Sequence, residues 1–126
     1  MSLIAAATLM VMGSGPIEVV ASPAPSMDVG YEELVAGNDL AALAAIENSD
    51  LANDDPARLI NHGIALARLG QEDAARAKFA EAAALRDRYR LETAGGQWVD
   101  SRVLARRGLA MVDGQDFKDY AALASR

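Results

Sequence analysis

Asp55-Pro56-Ala57-Arg58-Leu59-Ile60-Asn61-His62-Gly63-Ile64-Ala65-Leu66-Ala67-Arg68-Leu69-Gly70, continued by Gln71-Glu72-Asp73-Ala74-Ala75-Arg76-Ala77-Lys78-Phe79-Ala80-Glu81-Ala82, is the stretch that decides the fold. Asp55 is a helix cap, and Pro56 fits a first turn, where a missing N–H costs nothing. The first helix is expected over residues 56–69. Gly70 stops it by supplying the left-handed conformation that closes helices. A second helix opens on Glu72 and Asp73, acids beside the positive end of its dipole, and Glu72 precedes Arg76 by four residues in the favourable order.

The same features stand 33 residues upstream: Gly63 matches Gly30, Gly70 matches Gly37, Ala75 matches Ala42, Phe79 matches Ile46, and Gln71-Glu72 matches Asn38-Asp39. A fixed period of this size with small residues at fixed offsets is the mark of stacked helix-turn-helix units. The upstream unit is expected as a short helix over 28–36 and a second over 39–48, with Leu40, Ala42, Leu43 and Ile46 at helical spacing. Downstream, the second helix of the clear unit is expected to run to Leu91 or Glu92, where Thr93-Ala94-Gly95-Gly96 breaks it. A further helix is expected over 98–111, with Trp98, Arg102, Ala105 and Leu109 on one face and Trp98 packed in the core. A last short helix would carry Phe117, Tyr120, Ala121 and Leu123.

Composition agrees with an all-α fold. Apolar residues make up 52% of the 126, yet aromatics only 5%, and abundant alanine favours packed helices over a sandwich or barrel. The net charge of −6 is unevenly placed: nine acids and no Lys or Arg precede Arg58, and twelve basic and nine acidic residues follow from there. With no dense basic stripe, nucleic acid is not expected as a ligand. There is no cysteine, which excludes disulfides, thiol catalysis and Cys-bound zinc.

Leu59-x2-His62-Gly63-x2-Leu66, Gly70, Ala75-x3-Phe79 and Ala82 together resemble the tetratricopeptide repeat. His62 stands where that family prefers leucine, Leu66 replaces an aromatic, and no proline closes the unit. The resemblance covers residues 28–89. It implies a short array of about two repeats, 28–55 and 56–90, with capping helices over 97–124. It also implies a groove lined by the first helices that takes a peptide or helix of a partner protein. By position that groove would hold Tyr31, Ile60, Asn61, Ile64 and Arg68, with Arg106 and Arg107 closing its far wall. Family members that grip a C-terminal carboxylate use several basic side chains there. Ile60 and Ile64 replace most of that set, so an apolar segment or amphipathic helix is the expected guest. The alternative is that Ile60 and Ile64 pack on the chain's own first unit.

The N-terminus reads as an export signal and leader over residues 1–27. An apolar run, Leu3 to Met12, is broken by Gly13-Ser14-Gly15-Pro16, and Val19-Val20-Ala21 offers small and β-branched residues for cleavage after Ala21. The run is about half the ~20 residues a bilayer span needs, so no stable membrane span is expected. The compartment implied is periplasmic or secreted. No basic residue precedes the apolar run, and the other reading is an apolar N-terminal helix packing on the repeats of a cytoplasmic protein.

No reaction can be read from the chain. His62, the lone histidine, has no nucleophile and orienting acid in any motif, and is expected as a packed, hydrogen-bonded side chain. Gly95-Gly96 lacks the flanking pattern of a phosphate loop, and Asp113-x-x-Asp116-x-x-Asp119 lacks the spacing of a calcium loop. The expectation is a non-enzymatic interaction module without cofactor or metal, binding another protein or peptide. The alternative is a structural protein that self-associates through the opposite charge of its two halves.

Overall fold

The computed structural model describes residues 16–21 and 29–117. Its five helices are α1 (Tyr31–Val35), α2 (Asp39–Glu47), α3 (Pro56–Arg68), α4 (Glu72–Ala84) and α5 (Ser101–Asp113). Between α4 and α5 stands one hairpin, β1 (Arg90–Glu92) and β2 (Trp98–Asp100). Among the described residues the chain is thus mostly helical, with one small antiparallel sheet in the register Arg90 to Asp100, Leu91 to Val99 and Glu92 to Trp98. The expected helix of 117–123 lies outside the described residues apart from Phe117, which is buried.

The two helix-turn-helix units use equivalent residues in equivalent contacts. Gly37 and Gly70 both take positive φ, 80° and 83°, as the turns require. Ala42 and Ala75 are buried on the second helices, as are Ile46 and Phe79. A Cβ placed on Gly30 would lie 3.0 Å from Ile46 Cγ1, and one on Gly63 would lie 2.6 Å from Phe79 Cε1. In both units a glycine ahead of the turn makes room for the large apolar side chain 16 residues later. Gly30 differs in standing at the cap of α1, with φ of 68°, while Gly63 sits inside α3.

α3 begins as its sequence dictates. The Asp55 carboxylate accepts from the Arg58 N–H at 3.0 Å, and Pro56 occupies the first turn. Arg68, at its other end, donates to the Leu34 carbonyl at 2.8 Å and approaches Asp39 Oδ1 at 3.3 Å, tying the units together. The centre of the molecule is the Phe79 ring, wedged between α3 and α5. A Cβ on Gly108 would come within 2.6 Å of the same ring that forbids one on Gly63. Phe117 stacks on Phe79 with centroids 6.4 Å apart.

The C-terminal third departs from expectation. α4 stops at Ala84, and residues expected to continue it form β1. Leu85 turns extended with ψ of 135°. The Arg102 guanidinium then takes up the Leu85 carbonyl at 2.9 Å and also the Arg86 carbonyl, so acceptors near the helix end are met by α5 and not by another turn. Leu91 is buried on a strand with exposed neighbours, an alternation that a helix would not produce. Trp98 lies on β2 and is 58% exposed, so it is not a core residue; α5 starts three residues later, where Asp100 caps it by accepting from the Arg102 N–H at 2.8 Å. Gly95-Gly96 is the hairpin turn, with Gly96 at φ of 81°.

The Phe79 wedge sets a first prediction. Gly63→Ala or Gly108→Ala should destabilise the chain by about 1–2 kcal/mol although alanine is the better helix former, and Phe79→Ala by about 3–5 kcal/mol. Urea denaturation followed by circular dichroism measures both. Glycine replacements that raise stability would show that the ring is not held between the helices.

Candidate functional site

The face of α3 that carries Ile60, Asn61 and Ile64 is covered by the chain itself. Ile60 and Asn61 are 0% exposed and Ile64 1%. What lies over Asn61 is the extended segment of residues 16–21, inside the stretch assigned to the leader. Val19 and Val20 of that segment are core residues, 5% and 0% exposed. The fold therefore begins ahead of the expected boundary at residue 28, and a cut after Ala21 would remove part of the core.

The segment is held mainly through its backbone. Asn61 Oδ1 accepts from the Val20 N–H at 2.9 Å, and Asn61 Nδ2 donates to the Val20 carbonyl at 2.7 Å and to the Val29 carbonyl at 3.0 Å. One carboxamide thus satisfies both main-chain groups of a residue that has no water to turn to. On the other side Val20 bridges Thr93 in antiparallel sense. The Ala21 N–H donates to the Glu92 carbonyl at 2.9 Å, and the Ala94 N–H to the Val19 carbonyl at 2.8 Å. The segment is added beside β1 as a third, very short strand. The Ile17 N–H points at Met111 Sδ of α5 at 3.3 Å.

One side chain of the segment has a polar anchor of its own. The Glu18 carboxylate accepts from the Gly95 N–H at 2.7 Å. A Cβ at position 95 would stand 2.7 Å from the same carboxylate oxygen, so a side chain there would make the Glu18 carboxylate shift.

The remaining expected groove residues separate. Tyr31 is half-buried and packs against the core. Arg68 is committed to Leu34 and Asp39 across the unit junction, with its side chain 11% exposed. Arg106 is exposed and Arg107 half-buried on α5. Of the seven, Asn61 is hydrogen-bonded to the segment, while Glu92, Thr93, Ala94, Gly95 and Met111 were not foreseen as partners. Their signal was available: Ile17, Val19 and Val20 are β-branched, and Thr93-Ala94-Gly95-Gly96 followed by Trp98-Val99 reads as a hairpin turn and strand.

His62 stands apart from the seat. It is half-buried, with Nε2 4.0 Å from Glu47 Oε1. Burial first, and then the charge of Lys78, hold its pKa below the ordinary value, against an opposing pull from Glu47. Among the described residues no three His, Cys, Asp or Glu side chains gather as a metal site, and no helix is long and apolar enough to cross a membrane.

No family model, curated protein or solved structure matches this chain. The tetratricopeptide resemblance accordingly stands on the residues quoted for it.

Two predictions belong to this site. Asn61→Ala leaves three buried main-chain groups without their partner and should destabilise the chain by roughly 2–4 kcal/mol in urea denaturation; a change below about 0.5 kcal/mol would mean the carboxamide is dispensable. For His62 the depressed pKa fixes the sign. The unfolded chain takes its proton near pH 6.5, ahead of the folded one, so stability is level above about pH 6.5 and falls as pH drops from there towards the lower folded value. Urea midpoints at about pH 7.5 and pH 5.5 should differ in the wild type and differ less in His62→Gln.

Proposed function

We propose that this chain is a non-enzymatic interaction module of the exported, cell-envelope type, which holds an extended peptide segment of a partner protein on the face formed by α3, the end of β1 and α5. The observation that carries the reading is the buried Asn61 carboxamide, spent entirely on main-chain groups, two of them from a single residue of an extended segment. A side chain used in this way recognises an extended backbone whatever its sequence, which is the logic of strand addition to a sheet edge. The tetratricopeptide resemblance supports the same face, since Asn61, Ile60 and Ile64 are the positions it directs into a groove.

Export bears directly on whether that face is open. Cleavage after Ala21 removes the covering segment and leaves Asn61, the Glu92 carbonyl and the Ala94 N–H without the partners that residues 19–21 supply. A chain that keeps its N-terminus keeps the face covered. Intact mass after production with the native N-terminus in a Gram-negative host distinguishes the two. Loss of residues 1–21 with periplasmic recovery would leave the face open, periplasmic recovery with residues 16–21 retained would leave it covered by the chain itself, and a full-length cytoplasmic product removes the export part of the reading.

Photo-crosslinking tests the face. A photoreactive residue at Glu92, exposed on β1 beside the segment, should trap a partner, whereas one at Leu40, 71% exposed on α2, should not. Adducts from position 40 alone would move the binding surface to the first unit.

A further inference from the structure

The seat over α3 carries a sequence preference as well as a backbone one, and the chain holds its own example of the guest. We infer that the site takes in trans an extended peptide with an acidic residue two places ahead of a buried β-branched residue, and that residues 16–21 are its tethered competitor. This rests on the proposed interaction role and adds which segment the site selects and what keeps it closed.

Three observations carry it. The Val20 side chain is fully buried while its N–H and carbonyl are both read by Asn61, so this position fixes the register of the guest. Two residues earlier, the Glu18 carboxylate accepts from the Gly95 N–H of the hairpin turn at 2.7 Å. An acid accepts there; a lysine has no acceptor to offer and would set its cation against an N–H. Register and charge together define the pattern Ile17-Glu18-Val19-Val20-Ala21.

The covering segment is also lightly attached compared with the helices. It pairs with the hairpin by a single bridge, Val20 to Thr93, where β1 and β2 pair three residues each. The atoms nearest a Cβ placed on Gly63 or on Gly108, where α3, α4 and α5 lock together, all belong to Phe79 and none to the segment. Seven residues, 22–28, tether it to the rest of the fold. A tether this short gives the segment an effective concentration on the order of millimolar, enough to keep a free peptide of modest affinity out of the intact chain.

The test uses the full chain and a fluorescent peptide, Pro-Ile-Glu-Val-Val-Ala, followed by polarisation. Val20→Asp sets a carboxylate in the buried position and should unseat the tethered segment, so this variant should bind the peptide at least about tenfold more tightly than wild type. A peptide carrying the Glu18→Lys change should bind it about fivefold or more weakly, the cost of a charged hydrogen bond at an open turn. Hydrogen exchange on the wild-type chain keeps the inference testable if Val20→Asp does not fold. The Val20, Ala21 and Ala94 amides should exchange at least about tenfold faster than those in the middle of α3 and α4, and exchange of both sets in one global event overturns the competitor role. Equal binding of the Glu and Lys peptides overturns the selectivity and leaves the binding face standing. Failure of both peptides to bind a helical Val20→Asp chain overturns the face itself. A wild-type dimer formed by exchange of residues 16–21 would assign the seat to a second copy and overturn a separate partner.

Discussion

The Phe79 ring lies between two helices whose nearest residues have no side chains, Gly63 on α3 and Gly108 on α5. A benzyl group of this size needs either a wide gap or facing positions stripped to hydrogen, and a close-packed interior supplies the second. Three helices thereby meet around one side chain, and Phe117 closes the ring's exposed side by stacking. The corresponding pair in the first unit, Gly30 and Ile46, works by the same rule with a smaller side chain.

With α3 and α5 fixed, the space above Asn61 has apolar walls and polar groups on two sides. The carboxamide has both an acceptor and a donor to satisfy, and the chain beyond β1 presents the Glu92 carbonyl and the Ala94 N–H. Only an extended backbone can answer all of them at once, because a helix would have its own N–H and carbonyl groups already engaged. The N-terminal residues meet that demand, and their apolar side chains complete the core. The recognition surface proposed above is this same seat with that segment absent.

Much of the helical framework was legible. Asp55 and Pro56 announced the start of α3, Gly70 its end, and the 33-residue recurrence placed Gly37, Ala42 and Ile46 in roles the structure assigns to them. The first strand of the hairpin was not. Arg88, Tyr89, Arg90, Leu91 and Glu92 extend a helical composition, and nothing local forbids another turn after Leu85. The helix ends there because Arg102, 17 residues away, takes its carbonyl and because Leu91 is needed in the core. Trp98 likewise looked like a packing residue by type and sits on the solvent side of β2 by position.

The site divides along the same line. Asn61 was identified from its place on the first helix, yet the groups that meet it come from Val20 and Val29, 41 and 32 positions earlier in the chain, and the neighbours of Val20 on the far side from residues 92–95. By itself the sequence determined the bounds of α3, the start of α4, the turn glycines and the small-to-large pairing within each unit, because caps, φ preferences and side-chain volume act over a few residues. Tertiary structure alone decided that a segment reading as a cleavable leader is a strand of the core, since the partners of an extended backbone are set by which surfaces come together and not by the segment's own residues.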